Sequence, residues 1–343
     1  MSATRPTIKD VAHAAGVSPT TVSLVLNQKS SSISDLTRQR VLDAVKSLHY
    51  RPNQLAVSLV TSTTNTIGLI LPDTTNPFFA SLSHQIETLL RQHNLNVIIG
   101  NTSGDPKITR EYLRIFYDRQ VDGIILAQLD FEDPAETAKC QALLEDIHIP
   151  VVYVDRTLQS GEDVSISVDQ YQIGYMATNH LLNLGHKKIG CISGPMQLNV
   201  NQQRYAGYCG ALKDHGLEPD TALLYSESLS IECGFHALPY LLGHNVTGIF
   251  SFNDMIAYGV YQACRNYSIS IPDDLSVVGV DDIEFSDIIA PPLTTVAQPI
   301  LQISHLAVDG MLNILQDRIS FEHHVLLSPA LKVRGSTKPN TKR

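Results

Sequence analysis

Several side chains able to bind a polar ligand stand directly after apolar runs of the sequence, where predicted strands end. Such residues follow the runs IGLIL (67–71), PVVYV (150–154), TGIFSF (247–252) and LSVVGV (275–280). Because ligands of open α/β sheets bind at the carboxyl ends of the strands, we expect these side chains to converge on one site. The candidate residues are Asn76, Phe78, Phe79, Asp155, Arg156, Arg204, Asn253, Asp281 and Gln298.

Hydroxyl groups of a sugar are the chemistry that this set suits best. The two aspartates accept bonds from neighbouring hydroxyls, and the two arginines donate charge-assisted bidentate bonds. The three amides both donate and accept, and the phenylalanines offer flat surfaces for the C–H face of a pentose. Each residue also has a structural alternative: Arg156 in a salt bridge between lobes, Asp281 as a helix cap, and the phenylalanines as core.

The sequence carries no signature of a common enzyme. It contains no GxSxG, HExxH, P-loop or dinucleotide fingerprint, and its thirteen histidines are dispersed. The five cysteines (140, 191, 209, 233 and 264) have no paired spacing, which indicates reduced buried thiols. We therefore expect a binding protein without enzyme activity, cofactor or metal.

The elements that must position the candidate residues alternate between strands and helices. From Ile67 to about residue 280, short apolar runs alternate with helical stretches, and the pattern restarts after the loop 155–165. Continuous apolar strands separated by helices predict a parallel sheet covered on both faces. Two consecutive series, each too short for a barrel, indicate two α/β lobes.

The first sixty residues predict a different structure, two short helices joined by a tight turn. Thr7 and Asp10 form a capping box, and Gly16 ends the first helix because glycine enters the left-handed cap without strain. Ser18 caps the second helix and Pro19 begins it. This pattern fits an ordinary helical hairpin, and it equally fits a helix-turn-helix that presents a polar recognition helix to the DNA major groove. The residues outside its apolar face are Thr20, Thr21, Ser23 and Asn27.

Charge is divided unevenly along the chain. Residues 1–60 carry seven lysines and arginines against three aspartates, a balance of +4. Since the whole chain carries −9, the remainder carries −13. A basic head on an acidic body confines the attraction for phosphate to the head, which favours DNA binding there.

Three segments of the head resemble the lactose-repressor family of bacterial transcription regulators. They are T-I-K-D-V-A-x-x-A-G-V-S (Thr7–Ser18), T-V-S-x-V-L-N (Thr21–Asn27) and Y-R-P-N…A-x-S-L (Tyr50–Leu59). The order of the later segments also fits, so the resemblance covers essentially the whole chain.

The resemblance implies DNA contacts from the head and from a hinge helix after Asn53. Short helices are marginal alone, and in the family this segment folds on operator DNA, where the leucine matching Leu59 wedges between base pairs and kinks the duplex. The implied contact residues are Thr7, Ser18, Pro19, Thr20, Thr21, Ser23, Leu24, Asn27, Tyr50, Asn53, Leu55, Ala56 and Leu59.

Three positions depart from the family pattern. Val57 and Leu24 stand where arginines are common, so altered half-site preferences are expected because arginine to guanine is the commonest direct readout. Leu24 either contacts a thymine methyl group or is solvent-exposed. In the second lobe, Leu229 stands at a position that is usually aromatic, whereas the remaining candidate residues match the sugar-binding pattern of ribose-type proteins.

The fold implied is a helix-turn-helix head with two lobes like those of periplasmic sugar-binding proteins. We expect the head and hinge to occupy 1–60 and the effector-binding and dimerisation domain 61–343. The chain is expected to cross back near Pro291–Pro299. The first lobe would then hold about 65–160 and 295–322, and the second about 161–292 and 323–335.

Together, these features predict a cytoplasmic, dimeric repressor of carbohydrate-utilisation genes. It would bind a pseudo-palindromic operator and be released by a monosaccharide, ribose first. One alternative is a corepressor-dependent or phosphoprotein-partnered regulator of the same family, although a purine suits this carboxylate-rich set less well. A sugar-transport binding protein is the other alternative, but MSATRPTIKD lacks the apolar segment of a signal peptide. No apolar run reaches the length of a membrane span.

Overall fold

The computed structural model describes residues 6–26, 33–51, 63–127, 129–155, 163–316 and 323–341. The chain divides into two compact units, residues 1–64 and 65–343. The division lies four residues after the boundary expected from the sequence. Among the described residues, no helix is both long and apolar enough to cross a membrane.

The described part of the first unit contains three helices: α1 (Ile8–Ala15), α2 (Pro19–Leu26) and α3 (Asp35–Ser47). The predicted caps are present, because the Asp10 carboxylate accepts from the Thr7 N–H at 2.7 Å and Gly16 has a φ of 65°. The Ser18 hydroxyl accepts from the Thr21 N–H at 3.1 Å, which starts α2. The small core of this unit consists of Val11, Ala12, Ala15, Val22, Val25, Val41 and Ala44.

The second unit contains two six-stranded sheets. The strands of the first sheet are β1 (Thr66–Leu71), β2 (Asn96–Asn101), β3 (Gly123–Ala127), β4 (Val151–Val154), β5 (Val164–Val168) and β11 (His324–Leu327). Its order is β11-β5-β4-β3-β1-β2, and every pairing is parallel. The helices of this lobe are α4 (Pro77–Gln92), α5 (Pro106–Asp118), α6 (Pro134–Ile147) and α12 (Ile300–Leu315). Helices α4 and α12 pack together, as do α5 and α6.

The strands of the second sheet are β6 (Ile189–Ser193), β7 (Leu224–Ser226), β8 (Gly248–Ser251), β9 (Ser276–Asp281), β10 (Thr294–Ala297) and β12 (Ala330–Lys332). Its order is β12-β10-β9-β8-β6-β7, and only the edge pair β10–β12 is antiparallel. The helices of this lobe are α7 (Gln170–Asn183), α8 (Asn199–Asp214), α9 (Ile231–Leu242) and α10 (Asp254–Asn266), with the short α11 (Phe285–Ile288). Helix α7 packs on α8, and α9 on α10.

The expected lobe boundaries are wrong at three strands. Val164–Val168 pairs with β4 in the first sheet, although it was assigned to the second lobe. Thr294–Ala297 pairs with β9 in the second sheet, and His324–Leu327 pairs with β5 in the first, each opposite to the expectation. The chain therefore crosses between lobes three times. The alternation of strands and helices cannot reveal this, because an apolar strand has the same pattern in either sheet.

Candidate functional site

A cavity of about 600 Å³ lies between the two sheets of the second unit. Eight of the nine residues proposed from the sequence for ligand binding line this cavity, which is within the usual size range of ligand pockets. They are Asn76, Phe78, Phe79, Asp155, Arg204, Asn253, Asp281 and Gln298. Arg156, the ninth, lies outside the described residues.

The first lobe contributes a helix start and two aromatic rings. Asn76 caps α4, where its Oδ1 accepts from the Phe78 N–H at 3.0 Å, and the Pro77 ring occupies the first helical position. Phe78 is 2% exposed and belongs to the core, as its structural alternative required. Phe79 is half-buried and meets Phe78 edge-to-face with ring centroids 5.1 Å apart. Both rings still border the cavity.

A glutamine that sequence reasoning missed joins the two lobes. Gln170 Nε2 donates to Asp155 Oδ1 at 3.1 Å, and Gln170 Oε1 accepts from Arg204 Nε at 2.8 Å. Asp155 lies directly after β4 with a φ of 59°, and Gln170 begins α7. The signal for Gln170 was available, because it follows the strand that ends at Val168 by two residues.

Arg204 is the buried cation that the described residues place at this cavity. It is 4% exposed, and a second guanidinium nitrogen donates to the Phe252 carbonyl. Burial lowers the pKa of Arg204, while the carboxyls of Asp281, Asp155 and Asp254 oppose that shift. The guanidinium is thus held in place by neutral acceptors, so its remaining N–H groups can serve a ligand.

Asp281 and Gln298 form the second-lobe floor of the site. Gln298 Nε2 donates to Asp281 Oδ1 at 2.7 Å, and Gln298 Oε1 has no partner among the described residues. Burial raises the pKa of Asp281 to about 8, Arg204 lowers it, and Asp254 raises it further. Asp281 caps no helix within the described ranges, so its structural alternative is not supported.

Asn253 and Asp254 chiefly serve the protein itself. Asn253 Oδ1 accepts from the Ile256 N–H at 2.8 Å and caps α10, while Nδ2 donates to the Leu229 carbonyl at 3.2 Å. Burial raises the pKa of Asp254 to about 6, although the hydrogen bonds that its carboxylate accepts from Thr295 and Ser286 lower the pKa. Asp254 thus connects neighbouring strands and loops, and Asn253 holds the backbone at Leu229 in place.

The stability of the free protein should fall as pH rises from 6 to 8. The folded state holds the Asp281 proton more tightly than the unfolded chain, so this contribution is fully present below pH 3.8 and is lost as pH approaches 8. The loss between pH 6 and 8 is about 2 kcal/mol. Urea unfolding at pH 6, 7 and 8 would measure it.

The matched variant for this measurement is Asp281→Asn, which cannot ionise. His180 and His186, whose pKa values are lowered by burial, act in the opposite direction near pH 6 in both proteins, so they cancel in the comparison. A wild-type curve parallel to the variant curve would contradict the predicted titration of Asp281 between pH 6 and 8.

Two further residues meet across the cleft. The Asn199 N–H, at the start of α8, donates to Asp130 Oδ2 at 2.6 Å. Asp130 follows β3 in the first lobe and Asn199 belongs to the second, so this bond links the lobes at the edge of the cavity. A carboxylate at a helix N-terminus is favoured by the helix dipole.

The proposed recognition helix presents polar groups outward. Val22 and Val25 are buried, whereas Thr20 and Leu24 are exposed, with Leu24 at 39%. Ser18 and Pro19 are exposed, and Thr21 and Ser23 are half-buried. Leu24 thus has the exposure that either of its expected roles requires.

Other predicted DNA-contact residues of the first unit are placed differently. Thr7 is exposed and its hydroxyl donates to Asp10 at 2.7 Å. Tyr50 packs partly buried against the core of this unit, where burial raises its pKa. Five predicted contact residues lie outside the described residues: Asn27, Asn53, Leu55, Ala56 and Leu59. Within the described ranges, no group of three His, Cys, Asp or Glu side chains is arranged to hold a metal ion.

Two family models match the chain in succession. The model of bacterial regulatory proteins of the lacI family matches residues 7–53. The model of periplasmic binding proteins and the sugar binding domain of the LacI family matches residues 64–329. Together they span both structural units.

Curated relatives match over nearly their full length. The chain is 37% identical to the HTH-type transcriptional regulator DegA of Bacillus subtilis, over 98% of this chain and 99% of the relative. It is 32% identical to the transcriptional repressor PurR of Photobacterium profundum, covering 97% and 98%. The ribose operon repressor of Escherichia coli is also 32% identical, covering 96% and 99%.

Solved structures agree with this assignment. The Lac repressor dimer bound to operator and the anti-inducer ONPF is similar with a TM-score of 0.86 and 26% identity, covering 97% of this chain and 99% of that one. A LacI family regulator from Enterococcus faecium with bound ribose has a TM-score of 0.72 and 29% identity, covering 80% and 100%. The helix-turn-helix unit and the two-lobed, parallel-sheet unit are therefore those of a known architecture, and this chain belongs to the LacI family of bacterial transcription regulators.

Proposed function

We propose that this regulator is a dimeric, cytoplasmic repressor that a neutral sugar releases from a pseudo-palindromic operator. One observation carries the proposal: eight residues selected from the sequence for sugar chemistry line one cavity. The related ribose operon repressor and the ribose-bound relative support the same ligand class. We infer no enzyme activity for this chain.

The balance of donors and acceptors in the cavity favours hydroxyl groups. Asp155, Asp281 and the Gln298 carbonyl oxygen accept hydrogen bonds, whereas Arg204 donates. A polyol supplies several hydroxyls that can donate to these acceptors and also accept from the guanidinium. A phosphate has no such donors at neutral pH and would meet two carboxyl groups, so a sugar phosphate fits less well.

The relative PurR raises a second candidate, a purine that acts as corepressor. Sugars and purines need different side chains in a binding site. A purine forms hydrogen bonds only at its edge and needs apolar surfaces against its flat ring, whereas the floor of this cavity consists of Asp281, Gln298 and Arg204, all buried and polar. This composition favours the sugar, and the experiment below includes the purines.

Coupling between the ligand and DNA would act through the lobes. A ligand that contacts Asp155 in the first lobe and Asp281 in the second stabilises the arrangement of the two lobes in which both contacts form. The change that the ligand causes in the free energy of operator binding equals the change that the operator causes in the free energy of ligand binding. This coupling is typically about 1–3 kcal/mol.

The first unit should bind the operator with strong salt dependence. Its basic charge places cations near phosphates, and the release of counterions weakens binding as salt increases. Gel-shift titrations on the protein's own promoter region at about 50 and 200 mM salt should show a loss of affinity of at least tenfold. Adding D-ribose, other pentoses, hexoses, hypoxanthine or guanine identifies the effector.

Release of DNA by a monosaccharide would support the proposal as stated. Tightening of the complex by a purine would favour the corepressor alternative. Binding to DNA that does not depend on salt, or no specific binding, would contradict the operator-binding role.

A further inference from the structure

One buried acceptor in the second-lobe wall of the cavity lacks a donor. The Asn201 side chain is fully buried and borders the cavity, and its Nδ2 donates to the Pro195 carbonyl at 2.8 Å. A carbonyl can only accept, so this bond identifies the amide nitrogen and leaves Oδ1 as the acceptor. Oδ1 has no hydrogen-bond partner in the described part of the chain.

A buried acceptor without a partner can accept a hydrogen bond from a ligand in the cavity that its side chain borders. Buried polar atoms are nearly always hydrogen-bonded, and exceptions mark a function or a missing partner. The loop before α8 already supplies Asn201, the third residue of that helix, with one partner, the Pro195 carbonyl. A ligand in the cavity can supply the other.

An apolar surface lies beside this acceptor. A Cβ atom added to Gly194 would come within 2.6 Å of Leu229 Cγ and 2.9 Å of Asn201 Nδ2, so both side chains pack against Gly194. Leu229 is 37% exposed and lines the cavity, and its carbonyl is held by Asn253. We name Gly194, Asn201 and Leu229 the Asn201 corner.

The Asn201 corner does not take part in the hydrogen-bond network of the polar floor. Asp155, Arg204 and Asp281 are linked to one another through Gln170, Gln298 and their charges, and Asn201 has no bond to that network among the described residues. Ring hydroxyls that bond to the floor are not free to donate to Asn201, so its donor would come from a further group on the sugar. A hydroxymethyl group matches the Asn201 corner, because its CH₂ suits Leu229 and its hydroxyl can donate to Asn201.

We propose that Asn201 binds an exocyclic hydroxyl, and that the effector is a sugar with a hydroxymethyl group beyond its ring hydroxyls. This inference rests on the proposed function and specifies the sugar class. A pentose in its pyranose form has no exocyclic carbon, so it leaves Asn201 Oδ1 without a donor. A hexose that keeps the ribose ring configuration supplies that donor.

Calorimetric titration of the wild-type protein with matched sugars tests the inference without any variant. D-Allose has the ring hydroxyls of D-ribopyranose and adds a hydroxymethyl group at C5, and 6-deoxy-D-allose lacks only the exocyclic hydroxyl. We expect D-allose to bind about tenfold more tightly than D-ribose and 6-deoxy-D-allose, because the buried Asn201 Oδ1 gains a donor. D-Psicose, extended at the anomeric carbon, and 1-deoxy-D-psicose cover the second place at which a ribose ring can be extended.

The variant Asn201→Leu identifies the residue responsible. It keeps the branching of the side chain at Cγ and removes the acceptor, so the preferred hexose and its deoxy form should bind equally, and D-ribose should bind as it does to the wild type. Gln202→Ala, exposed one residue later on the same helix and outside the cavity, is the matched control and should keep the preference.

The outcomes separate this inference from the proposed function. D-Ribose binding with no preference for either hexose, or a preference that persists in Asn201→Leu, would overturn the role of Asn201 alone. Failure of all five sugars to bind would overturn both the role of Asn201 and the sugar-responsive function.

Discussion

Asp281→Asn should abolish the response to the effector and leave operator binding intact. The amide oxygen of the substituted side chain would still accept from Gln298, whose bond to Asp281 measures 2.7 Å, so the floor of the cavity keeps its shape. The amide carries an NH₂ group in place of the second carboxyl oxygen, so a ligand hydroxyl that donated to the ionised carboxylate loses its acceptor inside the site. The expected loss is about 3 kcal/mol, roughly a hundredfold in Kd.

Calorimetry with the sugar selected by the wild type, together with gel shifts on the same samples, measures both effects. The neighbouring Asp282→Asn is the matched control, because Asp282 pairs with Arg334 at 2.6 Å and does not line the cavity. We expect it to bind the sugar as the wild type does. If Asp281→Asn is released from DNA normally, Asp281 is a structural residue and the ligand site lies elsewhere.

Gly174→Ala should destabilise the second unit by about 3 kcal/mol or more. A Cβ atom at Gly174 of α7 would lie 1.9 Å from the backbone oxygen of Arg204 in α8. That atom belongs to a rigid helix backbone, so relief requires the two helices to separate, which opens packing over their whole contact. Since Arg204 supplies the cation of the cavity, ligand affinity should fall as well.

The control for this variant is Gly210→Ala on the facing helix. A Cβ there would meet the hydroxyl end of Tyr171, which is 38% exposed and able to move. The higher helix propensity of alanine, worth up to about 1 kcal/mol, offsets the small rearrangement. Urea unfolding of both variants gives the comparison. A Gly174→Ala protein as stable as the wild type would show that α7 and α8 are not packed this closely.

The sequence by itself determined the features that depend on local chemistry. The helix-turn-helix caps at Thr7, Gly16 and Ser18 follow from side chains acting within four residues of themselves. The strand ends of the two lobes follow from apolar runs bounded by polar residues, and these ends together with the family resemblance supplied eight of the residues that line the cavity. Parallel sheets bring such ends together whatever the remaining details.

Only the tertiary structure decided which sheet each strand joins and which side chains form hydrogen bonds within the protein instead of with a ligand. Strands 164–168, 294–297 and 324–327 pair across lobe boundaries that their own apolar patterns do not encode, because pairing is set by distant partners.

Side-chain partners were equally beyond the sequence. Asn253 proved to be a helix cap held by Leu229, Gln170 a bridge between Asp155 and Arg204, and Asn201 a buried acceptor. The pKa of Asp281, raised to about 8, likewise depends on burial by residues far away in the chain. Contacts and desolvation of this kind arise only when both lobes are assembled, which is why residue types alone predicted the chemistry of the site but not its hydrogen-bond network.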